Sequence, residues 1–76
     1  MAQFVSYGSY DSILVVNEQG NIRQVYTPFR VYMMNDKGQK QIYFVEEVKS
    51  TPDDKLIYMI CNQAYYHHYF MVDIHF

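Results

Sequence analysis

Cysteine occurs once, at Cys61, so no disulfide can close within the chain, which fits a reducing compartment. The three glycines, Gly8, Gly20 and Gly38, are too dispersed for a phosphate-cradling loop, and neither GxGxxG nor GxxxxGKS/T occurs. Lysine and arginine number six and are scattered (Arg23, Arg30, Lys37, Lys40, Lys49, Lys55). Against eight Asp and Glu they leave a net charge of −2 and a pI near 5.8. A general electrostatic hold on nucleic acid requires a basic surface, so nucleic acid is disfavoured as a partner. No helix-turn-helix, zinc-finger or RNP signature occurs. No run approaches the roughly 18 apolar residues of a spanning helix, so no membrane association is expected. The opening Met-Ala-Gln-Phe-Val-Ser-Tyr has neither the basic region nor the apolar core of a signal peptide, and the cytoplasm is the expected location.

What the chain does have is hydrophobic and aromatic mass. Half of its 76 residues are hydrophobic and 18% are charged, which excludes disorder and fits one small domain. A domain of this size buries only about 60% of the surface of its unfolded chain, so its stability margin is thin. Nine Tyr and five Phe, with no Trp, favour strands and half-buried surfaces.

Runs of β-branched and aromatic residues alternate with short turn signals. Residues 7–11 break the first run. Asn17-Glu18-Gln19-Gly20 and Asn35-Asp36-Lys37-Gly38 share an Asn-x-x-Gly form, in which Gly can supply the positive φ of a bulged hairpin. Thr27-Pro28 interrupts a further run, and Thr51-Pro52-Asp53-Asp54 reads as a type I turn. Strands are therefore expected at about 2–7, 12–16, 21–26, 29–34, 40–49, 55–61 and 64–75. Phe29, Val31 and Met33 share one face, as do Ile42, Phe44 and Val48, interrupted by Glu46. Short connections imply antiparallel neighbours. The expected fold is a nearly all-β antiparallel meander curled into an SH3-like barrel or half-barrel. The alternative is an α+β fold with Thr51 as N-cap and a helix starting at Pro52.

With Asn62-Gln63 as a two-residue loop, Tyr58 faces His67 and two sets of side chains alternate. Ile57, Met59, Cys61, Ala64, Tyr66, His68, Phe70, Val72, Ile74 and Phe76 form the more apolar set, expected in the core. Leu56, Tyr58, Ile60, Tyr65, His67, Tyr69, Met71, Asp73 and His75 form the other. Its Tyr58, Tyr65, His67 and Tyr69 make a candidate binding face of low-entropy aromatic contacts. The plain structural reading of the same row is packing with wetted hydroxyls.

His67 and His68 point to opposite faces of a strand, and His67 and His75 would lie about 27 Å apart, so no metal site is expected. Cys61 near two histidines is a weak nucleophile signal, and a lone Cys beside Ile60 reads as a small hydrophobe. Glu46 and Glu47 point apart and make no acid–base pair, and one of them suits a charge-protected edge. No cofactor and no catalysis are expected. The function expected is a non-catalytic interaction module for a protein or peptide partner, or for a second copy of the chain, using the Tyr/His face or an open strand edge. The rival is an aromatic face that stacks single-stranded nucleic acid.

Overall fold

The structure is a computed structural model that describes residues 3–76; Ala2, expected in the first strand, lies outside the described residues. Three five-residue turns of the same construction set the strand plan. At 17–21, the Gly20 amide donates to the Asn17 carbonyl and the Asn17 amide to the Asn21 carbonyl. Asn17 Oδ1 accepts from the amides of Gln19 and Asn21. Residues 35–39 repeat the pattern, with Asn35 Oδ1 accepting from Lys37 and Gln39. At 51–55, Thr51 Oγ1 takes over the acceptor role toward the Lys55 amide. The left-handed position is filled by Gly20 (φ 84°), Gly38 (φ 73°) and, in the third turn, Asp54 (φ 63°). Pro52 occupies the second turn position, where its fixed φ fits. The hairpin reading of this segment therefore holds over the helix from Pro52. Among the described residues the only helical element is a single 3-10 turn, His67–Tyr69.

Among the described residues, nine strands form three small antiparallel sheets. The first joins β1 (Phe4–Ser9), β2 (Ser12–Val16) and β3 (Ile22–Tyr26) in that order. The second has β4 (Phe29–Met34) between β5 (Lys40–Val45) and β9 (Met71–Val72). The third has β7 (Leu56–Ile60) between β6 (Glu47–Ser50) and β8 (Gln63–Tyr66). Within each sheet, neighbours in sequence pair as a meander, except that β9 returns to β4; β3 does not pair with β4, nor β5 with β6. Among the described residues the sheets do not close into a barrel. They share one core, in which Ile13, Val15, Phe29, Val31, Val45, Val48, Leu56, Tyr58, Ile60 and Val72 are buried.

Two expected strands are broken. The run 40–49 turns a corner at Glu46, whose amide donates to the Met59 carbonyl (2.9 Å) as the chain passes from the second sheet to the third. The corner acts like a one-residue bulge and changes the parity of the strand. Val45 and Val48, three residues apart, are both buried, while Ile42 and Phe44 are exposed instead of sharing Val48's face. The run 64–75 ends at Tyr66, where the 3-10 turn begins, so two-residue alternation does not reach the C-terminus.

The last hairpin also closes differently. Its two-residue loop is Cys61-Asn62, with φ of 51° and 64°, the paired positive values of a type I′ turn. Tyr58 consequently lies opposite Tyr65, not His67. This two-residue slide preserves the two side-chain sets, but over 56–66 the core takes the one expected outside; beyond the 3-10 turn, Val72 of the set expected inside is buried, with Phe70 and Ile74 packed against the core. Leu56, Tyr58 and Ile60 are buried. The cause is β6: Glu47 lies opposite Met59 and Lys49 opposite Ile57, and those two charges pair with each other at 3.7 Å. That face must meet water, whereas Val48 carries Tyr58 inward.

A side-chain clamp closes the remaining side of β9. Gln3 Nε2 donates to the Val72 carbonyl (2.8 Å), and the Val72 amide donates to Gln3 Oε1 (2.9 Å). One primary amide thus imitates a strand partner for both backbone groups of a buried residue.

Candidate functional site

The second and third sheets diverge beyond the Glu46 corner and leave an apolar groove with a cavity volume of about 410 Å³. Met33 and Tyr43 line it from the second sheet, Ile60 and Tyr65 from the third, and Cys61 from the turn between β7 and β8. The 3-10 turn brings in Tyr69, and Phe70 follows it, with the Phe70 amide donating to the His67 carbonyl at 3.0 Å. Phe70 organises the rest. The ring of Tyr43 stands at 73° to it with centroids 5.7 Å apart, and that of Tyr65 at 90° and 5.9 Å. Beneath lies the ring of Tyr58, 6.2 Å from Phe70 and edge-on to Phe29 at 5.5 Å.

The two walls are built alike. Tyr43 donates its hydroxyl to Gln41 Oε1 (3.2 Å), and Tyr65 donates to Gln63 Oε1 (2.6 Å). Each glutamine lies two residues earlier on the same strand and hence on the same face. Both phenolic hydrogens are therefore committed within the walls. The lining contains no Lys, Arg, Asp, Glu or His.

Of the four residues expected to form one surface, the structure brings Tyr65 and Tyr69 together in the groove. Tyr58 is in the core, fully buried, and burial pushes its phenol well above the ordinary tyrosine range. His67 does not line the groove but a separate small pocket of about 190 Å³, with Asp54, Lys55, Tyr66 and His68. Its ring is edge-on to Tyr58 at 6.2 Å. Its pKa is lowered, chiefly by burial; a hydrogen bond with the Leu56 backbone opposes this, and the charge of His68 adds to it. His68 stacks on Tyr66 (5.7 Å) and lies tilted against Tyr69 (4.6 Å). Among the described residues no three His, Cys, Asp or Glu side chains are placed to hold a metal ion.

Sequence reasoning missed Tyr43, Met33 and the exposed side of Phe70, because they reach the groove only when two sheets pack. The sequence does carry one signal: Gln41-Ile42-Tyr43 and Gln63-Ala64-Tyr65 repeat the same Gln-x-Tyr spacing.

The groove adjoins an open strand edge. β8 hydrogen-bonds only to β7, and its four residues, Gln63, Ala64, Tyr65 and Tyr66, are all exposed and uncharged. Of the other long edges, β6 carries Glu47 and Lys49, β5 Lys40 and β3 Arg23, whereas β1 is uncharged and lies beside β6.

No family model, curated protein or solved structure matches the chain.

Proposed function

We propose that the chain is a non-catalytic interaction module that receives an extended peptide of a partner protein along β8, with one of the peptide's side chains in the aromatic groove. The observation that carries this reading is the juxtaposition of an unprotected edge with an apolar cavity. Strand addition supplies main-chain hydrogen bonds, and the pocket supplies selectivity. A peptide residue opposite Tyr65 presents its side chain on Tyr65's own face, the face on which the groove opens.

The half-barrel of SH3-like shape belongs to the same proposal. It is supported by the Glu46 corner and by the Val48 amide donating to the Tyr10 carbonyl (2.8 Å), which ties the third sheet to the first. A reducing compartment such as the cytoplasm is supported by the single exposed thiol of Cys61.

The test is amide shift mapping by NMR with peptides selected from a random extended library. Shifts are expected at residues 63–66 and at Tyr43, Cys61, Tyr69 and Phe70. Tyr65→Ser with Tyr69→Ser should abolish them while the spectrum stays dispersed. Selected peptides that move only residues away from β8 and the groove would overturn the reading. So would a double variant that unfolds, since those rings would then be core.

A further inference from the structure

We propose that the groove is an aromatic cage for a trimethylated lysine carried by an extended peptide. This rests on the peptide-docking reading and names the side chain that the groove selects.

Four of the seven lining residues are aromatic. Tyr43 and Tyr65 each stand nearly perpendicular to Phe70, so rings in different planes line one groove, and the exposed Tyr69 joins them. Aromatic faces carry negative potential and attract a cation that lies over them. The two wall hydroxyls donate to Gln41 and Gln63, so neither aims a positive hydrogen at the cavity.

Charge complementarity selects the kind of cation. No Lys or Arg in the lining repels a positive charge, and the chain as a whole carries −2. No Asp or Glu in the lining can take over the hydrogen bonds that a bare ammonium makes to water, so an unmodified lysine loses its hydration without return. Methylation keeps the charge and removes the donors. A trimethylammonium then matches a site rich in rings and poor in acceptors. The apolar stem of the same side chain packs on Met33 and Ile60, which line the groove beside the rings.

The experiment uses the whole chain and a capped peptide, Thr-Val-X-Val-Thr, followed by NMR shift mapping and calorimetry. X is trimethyllysine, lysine, or the neutral analogue in which carbon replaces the terminal nitrogen. The trimethyllysine peptide should bind with shifts at Tyr43, Tyr65, Tyr69 and Phe70, about tenfold more tightly than either of the others. Tyr43→Leu, which keeps an apolar wall, should erase that preference over the neutral analogue. Equal binding of the neutral analogue in the groove would overturn the cation and leave peptide docking standing. Equal binding of unmodified lysine would overturn selection by methylation. Shifts confined to β8, with none in the groove, would overturn the cage. If neither these peptides nor library-selected ones touch β8 or the groove, the peptide-docking reading fails as well.

Discussion

Replacing Gln3 by alanine removes both hydrogen bonds that flank β9 on its open side. Val72 is 2% exposed, and its amide and carbonyl face the Gln3 side chain at 2.9 and 2.8 Å. Two such bonds are worth about 1 kcal/mol each, and leaving a buried backbone group without a partner costs about 1–3 kcal/mol. Gln3 is only half-buried, so water can follow the truncated side chain and return part of that loss. The expected destabilisation is about 2 kcal/mol. A domain of this length has about 4–11 kcal/mol to lose. At a urea slope of about 1 kcal/mol/M, the midpoint should fall by roughly 2 M. Urea unfolding followed by circular dichroism reads the midpoint, and hydrogen exchange at the Val72 amide reads the local effect. Gln3→Glu, while ionised, retains an acceptor for the Val72 amide but no donor for its carbonyl, so it should lie between wild type and alanine at neutral pH and approach wild type once its carboxyl is protonated and can donate. An unchanged midpoint together with an equally protected Val72 amide would refute the clamp.

Three further outcomes are expected. The fold lowers the pKa of His67, so it favours the neutral imidazole; stability should be full above the ordinary value of 6.5 and decline as pH falls below it. His67→Gln should flatten that decline in thermal melts between neutral and mildly acid pH. The fold raises the Tyr58 phenol above its ordinary 10.0, so its contribution is complete below that pH and is lost as pH rises past it. In a near-ultraviolet titration Tyr58 should ionise only as the chain unfolds, and Tyr58→Phe should remove the late step. Gly8 lies where the β1–β2 register shifts, and a Cβ there would come within 2.8 Å of Ser12 Oγ and 3.1 Å of the Ser12 carbonyl oxygen. Gly8→Ala should therefore cost about 1–3 kcal/mol of overpacking, measured as a lower urea midpoint.

What was legible in the sequence was local. Asn17, Asn35 and Thr51 announce their turns because one side-chain oxygen and one left-handed residue suffice to build each. The shared face of Phe29 and Val31 followed from simple alternation. Glu46 was visible as an interruption but not as a corner, since a polar residue inside a run looks the same whether the strand continues or bends. The burial of Tyr58 was decided by Glu47 and Lys49 on a neighbouring strand, and no pattern within 56–60 records that. For the groove, the C-terminal segment yielded Tyr65 and Tyr69. Tyr43 lies more than twenty residues upstream and meets them only through Phe70.

The Glu46 corner makes chain length, more than residue type, the quantity that this segment must conserve. Its task is done by a backbone amide, so most side chains could stand there. Losing the residue, however, would rotate everything from 47 to 50 by half a turn of the pleat. Two charged groups would then be driven toward Tyr58, and Val48 would be stranded in water. Relatives of this chain should therefore vary freely at that position and still never gain or lose a residue around it.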